Sequence, residues 1–366
     1  MSFSWRYFLR RVLISVVLLW LLSVLTFAAY YAVPEDPANF VLGIRHSDTH
    51  HATPGMIAEA RHRLGLDEPI PVQYAKFVSR TLHGDFGISW QGLSYDPNAN
   101  LVGAHVGAEV VRAAAVTGWL ALGGLLLVLL LAIPAATLAA SRAGSWLDRT
   151  LLSVTLIGIS THPIVIGVIL QTFVGNRWHV APPGGYCGLA SKTPVLSDQN
   201  WSTTPRMCGG PAEWASHMVL PWITFALFFI ALYMRIVRVR LLDVLDADYV
   251  RAARAKGASE FRVLRRHALP NTALSVVTML AMDIGTAVGV AVYVETVYRL
   301  PGLGRLTVGA IAGDAGFDLP VILAVVLVVG AAIILLNLLA DFVLALIDPR
   351  VESRGVRRAH ATAGVV

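Results

Sequence analysis

Six apolar stretches of spanning length divide the chain, and no other sequence feature restricts its fold as strongly. They cover roughly residues 12–33, 115–140, 150–174, 217–234, 273–298 and 321–347. A helix rising 1.5 Å per residue needs about 20 apolar residues to cross a bilayer, so each stretch predicts one crossing. Composition agrees: of 366 residues, 56% are hydrophobic and 14% charged, where soluble domains carry about 25% charge. The expected fold class is all-α integral membrane, with six transmembrane helices. The first stretch follows Arg6, Arg10 and Arg11, but its apolar core exceeds the 7 to 15 residues of a signal peptide and no A-x-A site follows. It reads as a retained anchor.

Arginine placement sets the expected orientation, because short cytoplasmic loops collect Lys and Arg. The N-terminus, the second-to-third connection, the fourth-to-fifth connection and the tail alternate along the chain and hold 18 of the 29 basic residues. That pattern puts both termini in the cytoplasm. The expected organisation is a cytoplasmic N-terminus at 1–11, a first helix at 12–33, a small extracytoplasmic subdomain at 34–114, a five-helix core at 115–347 and a cytoplasmic tail at 348–366. Within 34–114, residues 53–64 are helix-like and Pro34, Pro69 and Pro71 break the segment. The net charge of +6 comes from short clusters between apolar runs, without the basic patch and interleaved aromatics of a nucleic-acid surface. Nucleic acid is not an expected partner, whereas membrane lipid is.

Several chemistries are absent from the sequence. A P-loop needs lysine after glycine, and Lys76, Lys192 and Lys256, the three lysines of the chain, never follow one. None of the 11 histidines precedes a glutamate, which removes the H-E-x-x-H zinc site. GISTH at 158–162 lacks the closing glycine of a nucleophile elbow. No catalytic residue is expected, and no metal site. The cluster Arg45, His46, Asp48, His50 and His51 has no regular ligand spacing and reads as a polar loop. Cys187 and Cys208 share one hydrophilic segment, 21 residues apart. In an oxidising compartment they would close a loop; a reversed orientation would leave two thiols.

Polar groups within spans cost energy in lipid and normally face a bundle interior or a wet path. His162, beside Pro163, with Asp283, Glu295, Asn337 and Asp341 are the candidates. His162, Asp283 and Glu295 are the expected pathway residues, with interfacial placement or a structural hydrogen bond as the alternative for Glu295. Pro134 and Pro163 are expected to kink their helices, and Gly285 with Gly289 forms a small-xxx-small face.

The fourth-to-fifth connection is too long and regular for a plain connector. It reads DADYVRAARAKGASEFRVLRRHALPN over 246–271. Ala and Arg favour helix over 251–256, Gly257 stops it, Ser259 caps a second short helix, and Pro270 marks the end of that helix. Phe261, Leu264 and Ala268 are expected to share one face. Small residues at Ala252, Ala253, Gly257 and Ala258 suit close approach of another protein.

The spacing Arg251-Ala252-Ala253, three residues, Gly257, nine residues, His267-Ala268-Leu269-Pro270 resembles the EAA loop of binding-protein-dependent ABC importer permeases, with Arg251 in place of the name-giving glutamate and His267 in place of isoleucine. DYVRAARAKG with RRHALPN looks like the oligopeptide, dipeptide and nickel branch. FLRRVL at 8–13, Leu25-Thr26-Phe27 followed by PEDPA at 34–38, LGLDEPIPVQY at 64–74, GDFGIS at 84–89 and VETVYRLPGLGRL at 294–306 resemble that branch in the same order. The resemblance spans the chain apart from the cysteine segment, which looks expanded, and the tail after Pro349.

The resemblance implies a type I ABC importer permease fold in a bacterial inner membrane and import of di- or oligopeptides, with nickel chelates or other small solutes as alternatives inside the family. It implies a second homologous permease subunit, two cytoplasmic P-loop ATPases and an extracytoplasmic solute-binding protein. No cofactor is expected on this chain; ATP and Mg would bind the ATPases. The coupling loop, 243–271, would dock into an ATPase through Asp248, Tyr249, Arg251, Ala252, Ala253, Gly257, Ala258 and Pro270. Outside the family, the alternative is an ion-coupled secondary carrier using Asp283 and Glu295. No inverted repeat is visible to favour it.

Overall fold

The computed structural model describes residues 5–32, 55, 57–58, 61–62, 66–90, 94–95, 101–189, 193–195, 206–312 and 317–347. The 45–51 histidine cluster and the 348–366 tail lie outside these residues, as does most of 34–65. In chain order the helices are α1 (Trp5–Ala32), α2 (Ile70–Leu82), α3 (Val106–Ser141), α4 (Trp146–Ser160), α5 (Pro163–Leu170), α6 (Pro211–Leu245), α7 (Asp248–Ala255), α8 (Glu260–Val263), α9 (Leu269–Tyr298), α10 (Leu303–Ala312) and α11 (Leu319–Ile347). Two antiparallel ribbons complete the fold: β1 (Ser94–Tyr95) with β2 (Leu101–Val102), and β3 (Thr193–Val195) with β4 (Arg206–Cys208).

Among the described residues, five helices are long and apolar enough to cross a membrane: Phe8–Ala29, Val106–Ser141, Pro211–Leu245, Glu260–Tyr298 and Leu319–Ala345. The third expected span differs. It breaks at Thr161 and His162 into α4 and α5, followed by a π-helical turn at Gln171–Arg177. Pro163 is the cause: proline disfavours helical backbone in the residue before it, and His162 is extended at φ −67°, ψ 141°. Pro163 then serves as the first residue of a new helix, where its missing N–H costs nothing. Pro134, by contrast, is carried inside the continuous α3.

The chain forms two compact units. One comprises Arg10–Ala115 and Arg305–Leu335. Here α2 lies along α1, with Phe27 edge-on to Tyr74 at 5.3 Å and the Ser23 and Tyr74 hydroxyls 2.8 Å apart. Asp318, 1% exposed, accepts from the Ser89 hydroxyl and from the Trp90 amide at 3.2 Å, tying the GDFGIS turn to the start of α11.

The other unit, Met1–Leu9, Val116–Gly304 and Leu336–Val366, has its core where α6 packs on α4, α5 and α9. Phe225, Phe229, Tyr233 and Leu241 of α6 and Val290, Val294 and Tyr298 of α9 are each at most 4% exposed. The Tyr298 hydroxyl donates to the Gly167 carbonyl at 3.2 Å and lies 2.8 Å from the Thr224 hydroxyl, so one phenol joins α5, α6 and α9.

Candidate functional site

The connection between α6 and α9 is an ordered helical pair. α7 begins after Ala247 and ends at Lys256; Gly257 follows at φ +82°, a left-handed conformation that a side chain makes costly. A Cβ at Gly257 would meet nothing within 4 Å, so conformation rather than space calls for glycine. The Gly257 amide donates to the Arg254 carbonyl at 2.9 Å and the Ala258 amide to the Ala253 carbonyl at 3.1 Å, which closes the helix end. Arg254 braces the bend, donating to both carboxylate oxygens of Glu260 at 2.8 and 3.2 Å and to the Leu245 carbonyl at 3.2 Å. The Glu260 hydrogen bond pushes the guanidinium pKa further up.

Two expectations about this loop are corrected. Pro270 does not end the second helix. Leu264–Ala268 is a π-turn, and Pro270 falls in the first turn of α9, so helix runs unbroken from Glu260 to Tyr298. A π-turn widens the ladder where proline removes a donor and crowds the preceding turn. Nor do Phe261, Leu264 and Ala268 share a packed face: Val263 and Ala268 are buried, whereas Phe261 is 71% exposed. Val250 anchors α7 from beneath, and Asn271 donates to the Tyr249 hydroxyl at 3.0 Å. Tyr249, Asp248, Arg251, Ala252, Gly257, Phe261, Arg262, Arg265, Arg266 and Pro270 are exposed, with Arg251 paired to Asp248 at 2.6 Å. Ala253 and Ala258 are half-buried at the bend. The outer surface is a basic rim around two aromatic side chains.

The three expected pathway residues separate. Glu295 is fully buried. It accepts from the Thr117 hydroxyl at 2.6 Å and the Gly304 amide at 2.8 Å, while Thr117 accepts from the Leu303 amide at 2.9 Å. Gly302 packs so closely on the Glu295 carboxylate that a Cβ there would overlap it. Glu295 therefore holds the PGLG turn against α3 and α9 through structural hydrogen bonds. His162 caps α5 through Nδ1, accepting from the Ile164 amide at 3.3 Å, and its ring meets Tyr293 edge-on at 4.7 Å. Asp283 lies beside the Tyr233 hydroxyl, and its Oδ2 is buried without a hydrogen-bond partner among the described residues.

The small-residue face expected at Gly285 and Gly289 belongs to a longer pattern in α9. Thr278, Met282, Gly285, Thr286, Gly289, Tyr293 and Thr296 are all exposed and recur at helical spacing, so they form one stripe. Among the described residues, a Cβ at Gly285 or Gly289 would meet nothing within 4 Å, so none of the described helices closes on the small-residue face. The exposed positions of α1 and α3 are different in kind, for instance Leu13, Val17, Leu21, Leu122, Leu126 and Leu130. Hydroxyls and glycines suit water or another protein better than acyl chains.

One further interaction escaped the sequence reading, and one expected bond is present. Arg238 of α6 donates twice to Asp148 of α4 at 2.6 Å, and Asp148 also accepts from the Gly144 amide at 2.9 Å. The Arg238 hydrogen bond holds the Asp148 carboxyl below its ordinary pKa of 3.8. Cys187 and Cys208 are disulfide-bonded, Cα to Cα 5.4 Å, and the bond fixes β4 beside Cys187. His217 packs on Cys187, and its Nδ1 lies 2.9 Å from the Glu213 carbonyl.

Comparison with known proteins places this arrangement. The family described as binding-protein-dependent transport system inner membrane component matches residues 132–353, and its N-terminal companion matches 4–93. A probable peptide ABC transporter permease protein of Sinorhizobium fredii is 32% identical over 347 residues, covering 94% of this chain and 99% of that protein. The dipeptide transport system permease protein DppB of Escherichia coli K12 is 33% identical over 343 residues, covering 91% and 94%. Inward-facing MetNI methionine ABC transporter is a structural neighbour at TM-score 0.50 and 19% identity, covering 66% of this chain and 97% of that one; it speaks to fold alone. The chain thus belongs to the inner membrane components of binding-protein-dependent transport systems, and is a multi-pass permease subunit of the ABC importer kind.

Proposed function

We propose that this subunit forms half of the translocation pathway of an ATP-driven importer of di- or oligopeptides. The permease is non-catalytic; ATP and Mg bind two cytoplasmic ATPase subunits, a second homologous permease completes the pathway, and an extracytoplasmic binding protein delivers the solute. Both termini are cytoplasmic and the chain crosses six times, the broken pair α4 and α5 making the third crossing. The peptide class is supported by the names of the relatives that match over nearly their whole length.

The observation that carries the reading is the α7–α8 pair. It is braced from beneath by Val250, Val263 and Arg254, and turns Tyr249, Phe261 and Arg251 outward. Such a rigid, exposed, two-aromatic knob suits insertion into a groove of a partner. The stripe on α9, with His162 against Tyr293, supplies the pathway wall. Closure of the ATPase pair would bias the permease between two states of comparable free energy.

Pull-down of the tagged subunit from mild detergent tests this. The unmodified chain should recover a second permease and P-loop ATPases. Gly257→Val should leave the chain in the membrane and release the ATPases. Normal ATPase recovery and uptake in that variant would sink the coupling assignment, and uptake that survives ATPase loss but collapses with ionophores would point to an ion-coupled carrier.

A further inference from the structure

Asp283 stands at the middle of α9, about 21 Å of helix from either end. The stretches that face each other there, 219–234 of α6 and 269–298 of α9, contain no Lys, Arg or His. A carboxylate at that depth is costly without a donor or counter-charge. Tyr233 lies beside it, 1% exposed and immobilised in the core by Phe229, yet Oδ2 has no hydrogen-bond partner among the described residues. Asp283 also precedes Thr286 by three residues, which places it on the flank of the exposed α9 stripe. The site is an acceptor with one hydrogen-bond position unfilled, its oxygen covered in this state and flanked by an exposed polar stripe.

We propose that Asp283 receives the ammonium group of the solute during passage, so that the free α-amine of a peptide is the feature the permease itself recognises. This deepens the proposed function and rests on it: the α9 stripe must line the pathway. The chemistry fits a peptide class defined by length rather than sequence. Every unblocked peptide has one N-terminal ammonium, with three donors for an acceptor pair, whatever its side chains. Tyr233 is the positioning residue, holding the carboxylate from the core side; no covalent step is involved.

The test uses the assembled complex in nanodiscs with Thr286→Cys installed. Cys187 and Cys208 are bonded to each other, so the new thiol is the one on this chain that a charged maleimide can reach, and its labelling is read on this subunit's band. Trialanine should slow its alkylation in a concentration-dependent way, and N-acetyl-trialanine should not. Loss of a charge-assisted hydrogen bond predicts that Asp283→Asn raises the half-protecting trialanine concentration about tenfold or more, while Asp283→Glu stays near the parent. Asp283→Asn must still alkylate at the parent rate without peptide, which reports its fold. The comparison of the two peptides in the parent needs no Asp283 variant at all. Equal protection by both peptides, protection by neither, or protection unchanged in Asp283→Asn overturns the inference while leaving the pathway reading intact. Failure of Thr286→Cys to react in any nucleotide state removes the pathway reading itself.

Discussion

Glu295→Ala would remove the buried acceptor of the Thr117 hydroxyl and the Gly304 amide, and losing a buried hydrogen bond to a charged group costs about 1 to 3 kcal/mol. The variant should lower the midpoint of thermal inactivation in detergent, and Glu295→Gln should recover part of the loss because one carbonyl acceptor remains. A variant as stable as the parent would contradict the clamp. Asp148 gives a pH-dependent counterpart. Its folded pKa lies below 3.8 because Arg238 donates to it, so the pair's contribution is complete above about pH 4 and is lost as pH falls through the lowered folded value. Arg238→Gln should cost about 3 kcal/mol at neutral pH, since it leaves a buried carboxylate without its cation, and its deficit against the parent should shrink as Asp148 protonates in acid. Thermal aggregation followed from pH 7 down to about pH 3 measures both effects. Neither role was legible in the sequence. Glu295 could be read equally as an interfacial or a transport group, because its partners come from 178 residues upstream and nine downstream. Arg238 entered only as one basic residue of a connection, and Asp148, 90 residues away, carried no reading at all. Pairing across such separations is a tertiary fact that local pattern does not encode.

Helix positions, by contrast, follow from local chemistry and were legible: apolar runs gave α1, α3, α6, α9 and α11, and Gly257 gave the stop after α7. What local pattern missed was ladder geometry. Pro163 was read as a kink and is a break; Pro270 was read as an end and lies in a first turn, because π-turns at 171–177 and 264–268 change the hydrogen-bond register without any compositional mark. The cysteine ribbon offers a direct test at this scale. Alkylation without reduction should leave Cys187 and Cys208 unlabelled, and reduction should expose both. Closing a loop of this size contributes about 3 kcal/mol, so Cys187→Ser with Cys208→Ser should lower thermal stability; labelling of both cysteines in the unreduced chain would refute the bond.

At the scale of the molecule, the α9 stripe predicts that the subunit is incomplete alone. Among the described residues nothing approaches a Cβ at Gly285 or Gly289, and Thr286 is exposed beside them, so co-expression with the homologous permease should raise the steady-state membrane level, and equal levels with and without it would argue against a shared interface. The resemblance in the EAA-like loop and five ordered motifs made the family legible before any fold was known; the stripe was not, because glycine and threonine look the same in sequence whether they face a neighbour, a lumen or nothing. The unbroken helix from Glu260 to Tyr298, 39 residues and about 58 Å long, has a mechanical consequence. It is a stiff strut with a soft joint at its π-turn. A tilt of about 5° there would displace the Tyr298 end by about 4 Å. That end is pinned to Thr224 and Gly167, and Glu295 to Thr117, so α3, α5 and α6 must be carried along or the pins must break: force applied at Phe261 arrives at the far end as rotation of a bundle rather than bending of a helix.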